Sequence, residues 1–322
     1  MKICLIKTSS MGDVIHTLPA LTDAQNAIAD LQVDWVVEEN FAEIPRWHSA
    51  VNQVIPVAIR RWRKQLFSAQ TQNEWKNYRT LLQQHQYDAV IDAQGLVKSA
   101  VLAARLAKGI KHGYDRHSIR EPLASFFYDK KYQISYQQHA VERIRQLFAQ
   151  SLGYQLPQTQ GDYGIAKHFL HSAENPQPYV VFVHSTTRAD KHWLDEEWKK
   201  LAEKLTALGL EVRLPWGNEK EKARADWIAQ DVQSAVVLPK LSLTELAQQL
   251  ANAKAVVSVD TGLAHLTAAL DVPNITLYGA TDPKLIGTYG KNQHYIQQQS
   301  MVLISAEHVF AELQSQGMLN FY

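Results

Sequence analysis

VVSVDTGLAHLTAAL, residues 256–270, is an apolar run that passes through Asp-Thr-Gly directly into a second apolar segment. The first run is short and rich in β-branched residues, which is typical of a buried strand. The segment after Gly262 is predicted to be a buried helix, and residues 260–262 supply the turn between the two. A strand that passes at once into a helix predicts a parallel α/β sheet.

Strand and helix patterns alternate on both sides of this stretch. In the second half of the chain the predicted strands are 179–184, 211–215, 236–239, 255–260 and 274–278, and the predicted helices are 195–208, 219–230, 242–253 and 263–270. In the first half the predicted strands are 2–7, 33–38, 53–57 and 88–94, and the predicted helices are 11–28, 41–51 and 96–107. This alternation predicts two doubly wound domains with parallel sheets, and a central cleft facing the carboxyl ends of both sheets.

The boundary between the two domains is predicted from local composition. A Gln/Pro/Gly-rich stretch at 155–161 and a polar segment at 172–178 are typical of a linker. We therefore expect a first domain at 1–165 and a second at 175–305. Residues 306–322 are expected to form a C-terminal helix that packs back on the first domain.

The composition is that of a folded globular chain, with 46% hydrophobic and 20% charged residues among 322. A formal net charge of +1 argues against a polycation built for nucleic acid. The single cysteine, Cys4, lies in an apolar run and is expected to be buried and unreactive. Lys7 interrupts that run too early for a signal peptide, and no stretch of about 18 apolar residues occurs, so a cytoplasmic location is expected.

The turn at 260–262 is the most informative candidate for a ligand site. The backbone amides of Gly262 and Leu263 begin a helix, where free N–H groups and the helix dipole favour an anion such as a diphosphate. His265 lies one turn into this helix. Its residue type leaves open whether it contacts a ligand or is a satisfied structural group.

Two further loops follow predicted strands of the second half. The loop 185–191 carries hydroxyls and Lys191, which together could hold a phosphate, although Ser/Thr-rich loops are more often ordinary turns. Glu221 lies beside the strand-to-helix loop 215–217, where a carboxylate can accept hydrogen bonds from a ribose or another sugar diol. A solvated helix face is an equal alternative for Glu221.

Asp13 stands in the loop after the first strand, within TSSMGD at 8–13. A carboxylate at a helix N-terminus is most often a cap that accepts hydrogen bonds from the first amides. The alternative is a general base, because the helix dipole favours the ionised carboxylate that can accept a proton. Both interpretations stay open on the residues alone, with the cap favoured.

A basic cluster, RRWRK at 60–64, places four positive charges within five residues. Like charges at this density repel one another unless an anion offsets them, so the cluster predicts a ligand that carries carboxylates or phosphates. A solvated patch or a membrane-surface contact is the alternative. Four more cations are candidates for the same side of the domain: Lys7, Lys98, Arg120 and Arg143.

Several motifs resemble those of the lipopolysaccharide heptosyltransferases, glycosyltransferase family 9. They are KTSSMGDVIHTLPAL at 7–21, DAQGLVKS at 92–99, HAVER at 139–143, VSVDTGLAHLTAAL at 257–270 and YGATDP at 278–283. The resemblance covers nearly the whole chain. The KTSSMGD start and the RRWRK cluster are similar to the type I members, which add the first L-glycero-D-manno-heptose to the Kdo sugars of lipid A.

The resemblance implies a GT-B fold, with the acceptor Kdo2-lipid A on the first domain and the donor ADP-heptose on the second. It implies direct displacement with inversion, no nucleic acid partner, and a peripheral position on the cytoplasmic face of the inner membrane. The sequence has no Asp-x-Asp triplet, with which many glycosyltransferases bind a metal, so no cofactor and no obligatory metal are expected. It also lacks GxGxxG after either first strand and lacks a P-loop, which argues against a dinucleotide dehydrogenase and a P-loop NTPase.

The resemblance also implies roles for individual residues. Asp13 matches the proposed catalytic base. The donor would be bound by Thr186, Thr187, Lys191, Glu221, Asp260, Thr261, Gly262, Leu263 and His265. The acceptor would be bound by Lys7, Arg60, Arg61, Arg63, Lys64, Lys98 and Arg120.

Other functions are kept as alternatives. They are a heptosyltransferase of type II or III, a GT-B sugar-nucleotide epimerase, and a catalytically silent protein that binds anionic glycolipid. An epimerase shares the two-domain layout but would not need the RRWRK cluster at 60–64 for a lipid-linked acceptor.

Overall fold

The computed structural model describes residues 1–169 and 177–320. The chain divides into two compact units, Met1–Gly164 and Ile165–Tyr322. Each unit contains one six-stranded sheet in which all strand pairs are parallel.

The first unit is a doubly wound sheet with helices between its strands. Its strands are β1 (Lys2–Ile6), β2 (Gln32–Glu38), β3 (Val51–Val57), β4 (Ala89–Asp92), β5 (Lys111–Tyr114) and β6 (Lys130–Tyr132). Its helices are α1 (Met11–Ile15), α2 (Leu18–Ala27), α3 (Glu43–Arg46), α4 (Ile59–Trp62), α5 (Ala69–Leu82), α6 (Val97–Ser99) and α7 (Ala140–Leu152), with 3₁₀ turns at Glu39–Phe41 and Pro122–Phe127. A π-helical turn, Ala100–Ala104, continues α6.

The second unit repeats this plan. Its strands are β7 (Tyr179–Val183), β8 (Glu211–Leu214), β9 (Ala235–Val237), β10 (Ala255–Val259), β11 (Asn274–Tyr278) and β12 (Gln293–Gln297). Its helices are α8 (Ala166–Phe169), α9 (Asp195–Ala207), α10 (Glu219–Ala229), α11 (Leu243–Ala251), α12 (Gly262–Ala269) and α13 (Ala306–Ser315), with 3₁₀ turns at Ala189–Lys191 and Met301–Leu303.

The strand order defines a topological switch point in each sheet. The orders are β3-β2-β1-β4-β5-β6 and β12-β11-β10-β7-β8-β9. In both sheets the connections run in opposite directions from the central pair, β1 with β4 and β7 with β10. The loops after those strands diverge and leave a crevice at their carboxyl ends, where open α/β sheets bind ligands.

The central strands are continuous apolar runs because both of their faces are covered. Ile3, Cys4, Leu5 and Ile6 of β1 are fully buried, which confirms the expected burial of Cys4. Burial also raises the pKa of the Cys4 thiol, so the thiolate is disfavoured. Ser242 begins α11 with Glu245 as its partner in a capping box, as predicted.

Several predicted elements of the first unit differ from the structure. The helix predicted at 11–28 is two helices, α1 and α2, and Pro19 stands in the first turn of the second one. Within the helix predicted at 41–51, the structure has only Phe41, the last residue of a 3₁₀ turn, and the four residues of α3 in helical conformation. The helix predicted at 96–107 is a short α-helical turn followed by the π turn, and it ends at Ala104.

The predicted linker and the predicted packing of the C-terminal helix also differ from the structure. The stretch 155–161 packs on the first unit, where the carbonyl of Pro157 accepts a hydrogen bond from Arg145 and Gly161 lies against Pro19. Most of the predicted linker 172–178 lies outside the described residues. Residues 306–322 were expected to pack on the first domain; their described helix α13 instead packs against α9, because its apolar residues complete the core of the second unit.

The structure describes helices within residues 1–169 and 177–320. None of the helices there has the length and apolar character needed to cross a bilayer.

Candidate functional site

A cavity of about 920 Å³ opens at the switch point of the first sheet. Its walls come from the loops after β1, β4 and β5 and from the start of α7. Polar residues from each of these segments line it, among them Lys7, Asp13, Gln94, Lys98, Arg120 and Arg143. Four of the predicted acceptor and catalytic residues, Asp13, Lys7, Lys98 and Arg120, are therefore brought to one cavity.

Asp13 lies at the third position of α1, not at its N-cap. The N-cap is Ser10, whose backbone N–H and hydroxyl each donate to Asp13 Oδ2 at 2.9 Å. The second carboxylate oxygen, Oδ1, lies 3.6 Å from Nζ of Lys7. About half of the Asp13 side chain, 46%, is exposed to the cavity or solvent. The structure thus corrects the prediction of an N-cap and leaves Oδ1 oriented towards a buried cation.

Lys7 is held in place by the strand that precedes it and by the neighbouring loop. Its side chain is only 7% exposed. Its Nζ donates to the carbonyl of Ala93 at 3.0 Å, just after β4. A buried ammonium beside a carboxylate favours the ionised form of that carboxylate, which is the form a base requires.

Gln94 connects the loop after β4 to the loop after β1 through hydrogen bonds. Its Oε1 accepts hydrogen bonds from the backbone N–H of Thr8 at 2.8 Å and of Ser9 at 3.1 Å. The residue before the loop, Asp92, is fully buried and accepts from the hydroxyls of Tyr128 and Ser99 at 2.8 and 2.9 Å. Burial raises the pKa of Asp92, and these hydrogen bonds oppose that rise. Gln94 was not predicted to belong to the site, because the predicted strand 88–94 included it, whereas β4 ends at Asp92.

Arg143 is a further cation of the cavity. Its guanidinium lies 3.7 Å from the ring centroid of Tyr136 and 5.0 Å from that of Tyr114. One Nη donates to the carbonyl of Ser118 at 2.6 Å, while the buried Nε has no hydrogen-bond partner. The aromatic rings hold the planar group in a fixed orientation towards the cavity wall. The sequence analysis had placed Arg143 on this side of the domain without giving it a role.

The basic cluster at 60–64 is not part of the cavity lining. Arg61 is engaged by two carboxylates, since its guanidinium lies 2.9 Å from Glu39 and 2.9 Å from Glu74. These hydrogen bonds raise the pKa of Arg61 above its ordinary value. Arg61 is thus neutralised within the protein, whereas Arg60, Arg63 and Lys64 are exposed.

Glu38 connects the basic cluster to the cavity. It ends β2 and is buried, and burial raises the pKa of its carboxyl. Arg60 and Lys98 both act on this carboxyl in the opposite direction, so it lies within electrostatic reach of both cations. Arg60 of the cluster and Lys98 of the cavity therefore act on the same carboxyl group.

The second sheet assembles a separate group of polar residues at its own switch point. Nζ of Lys191 bonds to a carboxylate oxygen of Asp260. The hydroxyl of Thr186 donates to the backbone carbonyl of Asp260 at 3.1 Å. Both contacts join the loop after β7 to the loop after β10, so three predicted donor residues meet although about 70 residues separate them in sequence.

The amide end of α12 adjoins this group. Thr261 is the N-cap of the helix and its side chain does not cap an amide. Gly262 and Leu263 follow as its first two residues, as predicted. His265 is buried one turn further on. The remaining predicted donor residue on the first loop, Thr187, is exposed.

One carboxylate oxygen of Glu221 forms a hydrogen bond within its own loop. It lies in the first turn of α10, and its Oε2 accepts from the backbone N–H of Gly217 at 2.7 Å. The sequence analysis missed two of its neighbours, His192 and Arg224, whose side chains bond to each other. Burial, followed by the charge of Arg224, lowers the pKa of His192, while Glu221 acts in the opposite direction. The pair was not predicted because neither residue belongs to a recognisable motif.

Across the described part of the chain there is no group of three or more His, Cys, Asp or Glu side chains that could hold an ion.

Comparison with known proteins decides the family. A sequence model described as glycosyltransferase family 9 (heptosyltransferase) matches residues 75–309. The chain belongs to glycosyltransferase family 9. It is therefore an enzyme of the heptosyltransferase family, and the predicted family is confirmed.

Individual family 9 proteins are similar over almost the whole length. Lipopolysaccharide heptosyltransferase 1 of Salmonella typhimurium is 60% identical over 316 residues, which cover 97% of this chain and 100% of the relative. The structure titled E. coli heptosyltransferase WaaC with ADP superposes with a TM-score of 0.96 at 57% identity, covering 98% of this chain and 100% of that one. The structure titled E. coli heptosyltransferase WaaC with ADP-2-deoxy-2-fluoro heptose gives a TM-score of 0.93 at 57% identity, covering 98% and 99%.

These similarities confirm the predicted GT-B class and the resemblance to type I members of family 9. They do not assign roles to the residues described above.

Proposed function

We propose that this family 9 enzyme transfers L-glycero-D-manno-heptose from ADP-heptose to a Kdo sugar of Kdo2-lipid A, with inversion, in assembly of the lipopolysaccharide inner core. The observation that carries the proposal is the 57% identity over 98% of the chain to WaaC in its structure with ADP-2-deoxy-2-fluoro heptose. Two polar sites support it, one at the switch point of each sheet.

The donor diphosphate is assigned to the second unit. Lys191 supplies the positive charge, Thr186 and Thr187 supply hydroxyls, and the first amides of α12 point out of the helix at Gly262 and Leu263. A helix N-terminus stabilises bound phosphate, and the same groups stabilise the negative charge that grows on departing ADP. Asp260 holds Lys191 in position before the donor binds.

The nucleoside end of the donor is assigned to the remaining predicted residues of that unit. Glu221 accepts from the backbone N–H of Gly217 through Oε2, and its other carboxylate oxygen, Oε1, is a suitable acceptor for ribose hydroxyls. Thr261 and His265 flank the start of α12.

The acceptor is assigned to the cavity of the first unit. Kdo carboxylates and lipid A phosphates are anions, and Lys98, Arg120 and Arg143 present cations to the cavity. Guanidinium groups bind carboxylates and phosphates through two parallel hydrogen bonds. Arg60, Arg63 and Lys64 extend this positive surface beyond the cavity, where the larger lipid A anions would lie.

Asp13 is assigned the role of general base. In this step a Kdo hydroxyl oxygen forms a bond to the anomeric carbon of the heptose, and the bond from that carbon to the diphosphate oxygen breaks. The hydroxyl proton passes to Asp13, and ADP leaves with the bonding electrons. Attack opposite the leaving group inverts the anomeric centre. Nζ of Lys7, 3.6 Å from Oδ1, places a positive charge beside the carboxylate.

A lipid-linked acceptor implies that the enzyme works at a membrane surface. We infer a peripheral position on the cytoplasmic face of the inner membrane, where ADP-heptose is available. With a formal net charge of +1 the chain has no overall preference for nucleic acid.

The proposal includes a donor site without an obligatory metal. The charge of the diphosphate would be met by Lys191 and by the amides of α12. Treatment with EDTA is therefore expected to leave most of the activity intact. Complete loss of activity that magnesium restores would overturn this part of the proposal.

The proposed reaction is tested by following ADP release from ADP-heptose with and without Kdo2-lipid A. A transferase of this specificity releases ADP only when the acceptor is present, and the lipid gains one heptose by mass spectrometry. Release with a heptosylated core but not with Kdo2-lipid A would indicate type II or III specificity. Interconversion of the sugar nucleotide without acceptor would indicate an epimerase, and binding without turnover a silent glycolipid-binding protein.

A further inference from the structure

Two exposed apolar segments stand on the first unit beside its cations. Leu66 and Phe67 are 59% and 92% exposed, and they follow the basic cluster directly in sequence. Leu123 and Phe126 are 65% and 77% exposed, and they follow Arg120. Exposed apolar side chains that stand together and are flanked by charged residues are candidates for an interaction surface.

The topology brings the first segment to the edge of the sheet that carries the cavity. All strands of this sheet are parallel, and residues 58–68 connect the carboxyl end of β3 to the start of α5. Trp62 packs on Tyr78 of α5, and the hydroxyl of Tyr78 donates at 2.8 Å to the carbonyl of Leu102, which lines the cavity. Leu66 and Phe67 thus project from a segment braced against the cavity wall.

The second segment begins beside residues that line the cavity. Arg120 and Glu121 line the cavity, and the 3₁₀ turn Pro122–Phe127 starts immediately after them. Residues three apart in a 3₁₀ helix lie one above the other, so Leu123 and Phe126 form one apolar ridge. This turn packs on the π turn after α6. In the strand order, the first apolar segment follows β3 and the second follows β5, so the switch point of β1 and β4 lies between the strands that they follow.

We propose that these two segments insert into the interfacial region of an anionic lipid bilayer and hold the cavity against the membrane. The inference rests on the proposed function, in which the acceptor is anchored in that bilayer. Charge complementarity favours lipid as the partner, because Arg60, Arg63 and Lys64 are exposed directly before Leu66 and can contact anionic headgroups. Glu39 and Glu74, the acidic residues that bond to this cluster, are occupied by Arg61.

This arrangement matches the known pattern of interfacial binding, in which aromatic and aliphatic side chains enter the headgroup boundary and adjacent cations bind lipid phosphates. It also has a consequence for catalysis. The acyl chains of the acceptor stay in the bilayer, and only its sugars need to reach the cavity.

The test uses the full chain and vesicles of phosphatidylcholine with or without phosphatidylglycerol. Wild type is expected to sediment with the anionic vesicles, and the double variant Leu66→Ser/Phe67→Ser to bind them at least about tenfold less tightly. Leu123→Ser/Phe126→Ser is expected to weaken binding in the same direction. The matched control is Val302→Ser/Leu303→Ser, a pair in the second unit that is 63% and 59% exposed. It should bind as wild type does.

Two outcomes would overturn the membrane proposal. One is unchanged vesicle binding by both apolar variants, and the other is an equal loss by the Val302/Leu303 control. Thermal unfolding is measured to check that each variant is folded. Turnover of an acceptor without acyl chains, which needs no membrane, should be unchanged in Leu66→Ser/Phe67→Ser. Absence of that turnover in wild type would instead count against the proposed function, so the two failures are distinguishable.

Discussion

Asp13 can be compared with a residue in the same local structure elsewhere in the chain. Glu245 occupies the third position of α11 and accepts from the backbone N–H and hydroxyl of Ser242 at 2.7 and 2.8 Å, as Asp13 does from Ser10. Glu245 is therefore an internal standard for what a capping carboxylate contributes. Of these two carboxylates, only Asp13 also lies beside a buried lysine and lines the cavity.

Asp13→Asn is expected to lower kcat by about 10² to 10⁴ while the enzyme stays folded. Asparagine keeps an oxygen that can accept from Ser10, but it cannot take a proton from the acceptor hydroxyl. The affinity for ADP-heptose should change little. The measurement is steady-state ADP release together with thermal unfolding.

Glu245→Gln is the matched control for Asp13→Asn and should keep nearly full activity. Asp13→Asn could instead turn over within about threefold of wild type, far less than the loss expected of a general base. In that case Asp13 would serve only as the capping partner of Ser10, and the base would be another residue.

Lys191→Ala is expected to reduce kcat/KM for the donor by roughly 10² or more, because one charged group is lost where ADP gathers negative charge. It also leaves Asp260, which is only 10% exposed, without its cation. The acceptor KM should stay close to wild type. Donor and acceptor kinetics measured separately check this, with Lys222→Ala, an exposed lysine paired to Asp226, as control. Equal kinetics in Lys191→Ala and Lys222→Ala would remove Lys191 from the site.

At the scale of an element, α4 and the residues after it divide into two functional groups. Arg61 bonds to Glu39 and Glu74 and braces the segment, while its three neighbouring cations are exposed. The sequence analysis had assigned all four to the acceptor. The structure therefore predicts that Arg61→Gln lowers the melting temperature, a change that neutralising the other three should not cause.

Arg60→Gln/Arg63→Gln/Lys64→Gln is expected to raise the KM for Kdo2-lipid A by about tenfold or more, since each exposed cation near an anionic surface contributes about 1 kcal/mol. The donor KM should be unchanged, and the effect should shrink at high salt because exposed charges are screened. The control neutralises three exposed cations of the same unit, Lys76, Arg79 and Arg105. An equal rise of the acceptor KM in the control would show that the effect depends on the total charge of the unit and not on the cluster at 60–64.

At the scale of the whole molecule, two buried histidines make stability depend on pH. Burial lowers the pKa of His48 to about 4 and that of His184 to about 3. Nδ1 of His48 accepts a hydrogen bond from the backbone N–H of Ala50 at 3.2 Å, so the folded state holds the neutral ring. Below the unfolded value of 6.5 the unfolded chain binds a proton that the folded chain does not.

The free energy of unfolding is therefore expected to fall as pH decreases from about 6.5 towards 4, by roughly 1.4 kcal/mol per pH unit for each histidine. Above pH 6.5 these histidines add no pH dependence. His48→Gln should reduce the slope of the unfolding free energy against pH by the contribution of about one bound proton. Urea unfolding at a series of pH values measures this slope. His308→Gln, at an exposed site, should leave the slope unchanged. A His48→Gln slope equal to that of wild type would contradict the assignment.

The sequence by itself determined the fold class and most of the second unit. Strands buried on both faces appear as uninterrupted apolar runs, and the helices between them have caps and Gly stops, so the predicted bounds agree with the structure within about two residues for most of these elements. The turn at 260–262 and the start of α12 were predicted for the same reason, since turn chemistry is local.

Elements without a local pattern were missed or misplaced. Strands β5 and β6 have four and three residues, too few to establish an alternation. The periodicity over 11–28 predicts a helix but does not by itself show where the chain breaks it. An apolar face on α13 predicts burial but not the partner, and only tertiary packing placed it on α9.

The tertiary structure alone decided which charges are available. Glu39 and Glu74 lie 22 and 13 residues from Arg61, and Gln94 lies 86 residues from Thr8. Sequence patterns report which face of an element is buried, because burial repeats with the period of the helix or strand. The partner that a polar side chain meets depends on how distant loops converge at the edge of a sheet, and no local period encodes that convergence.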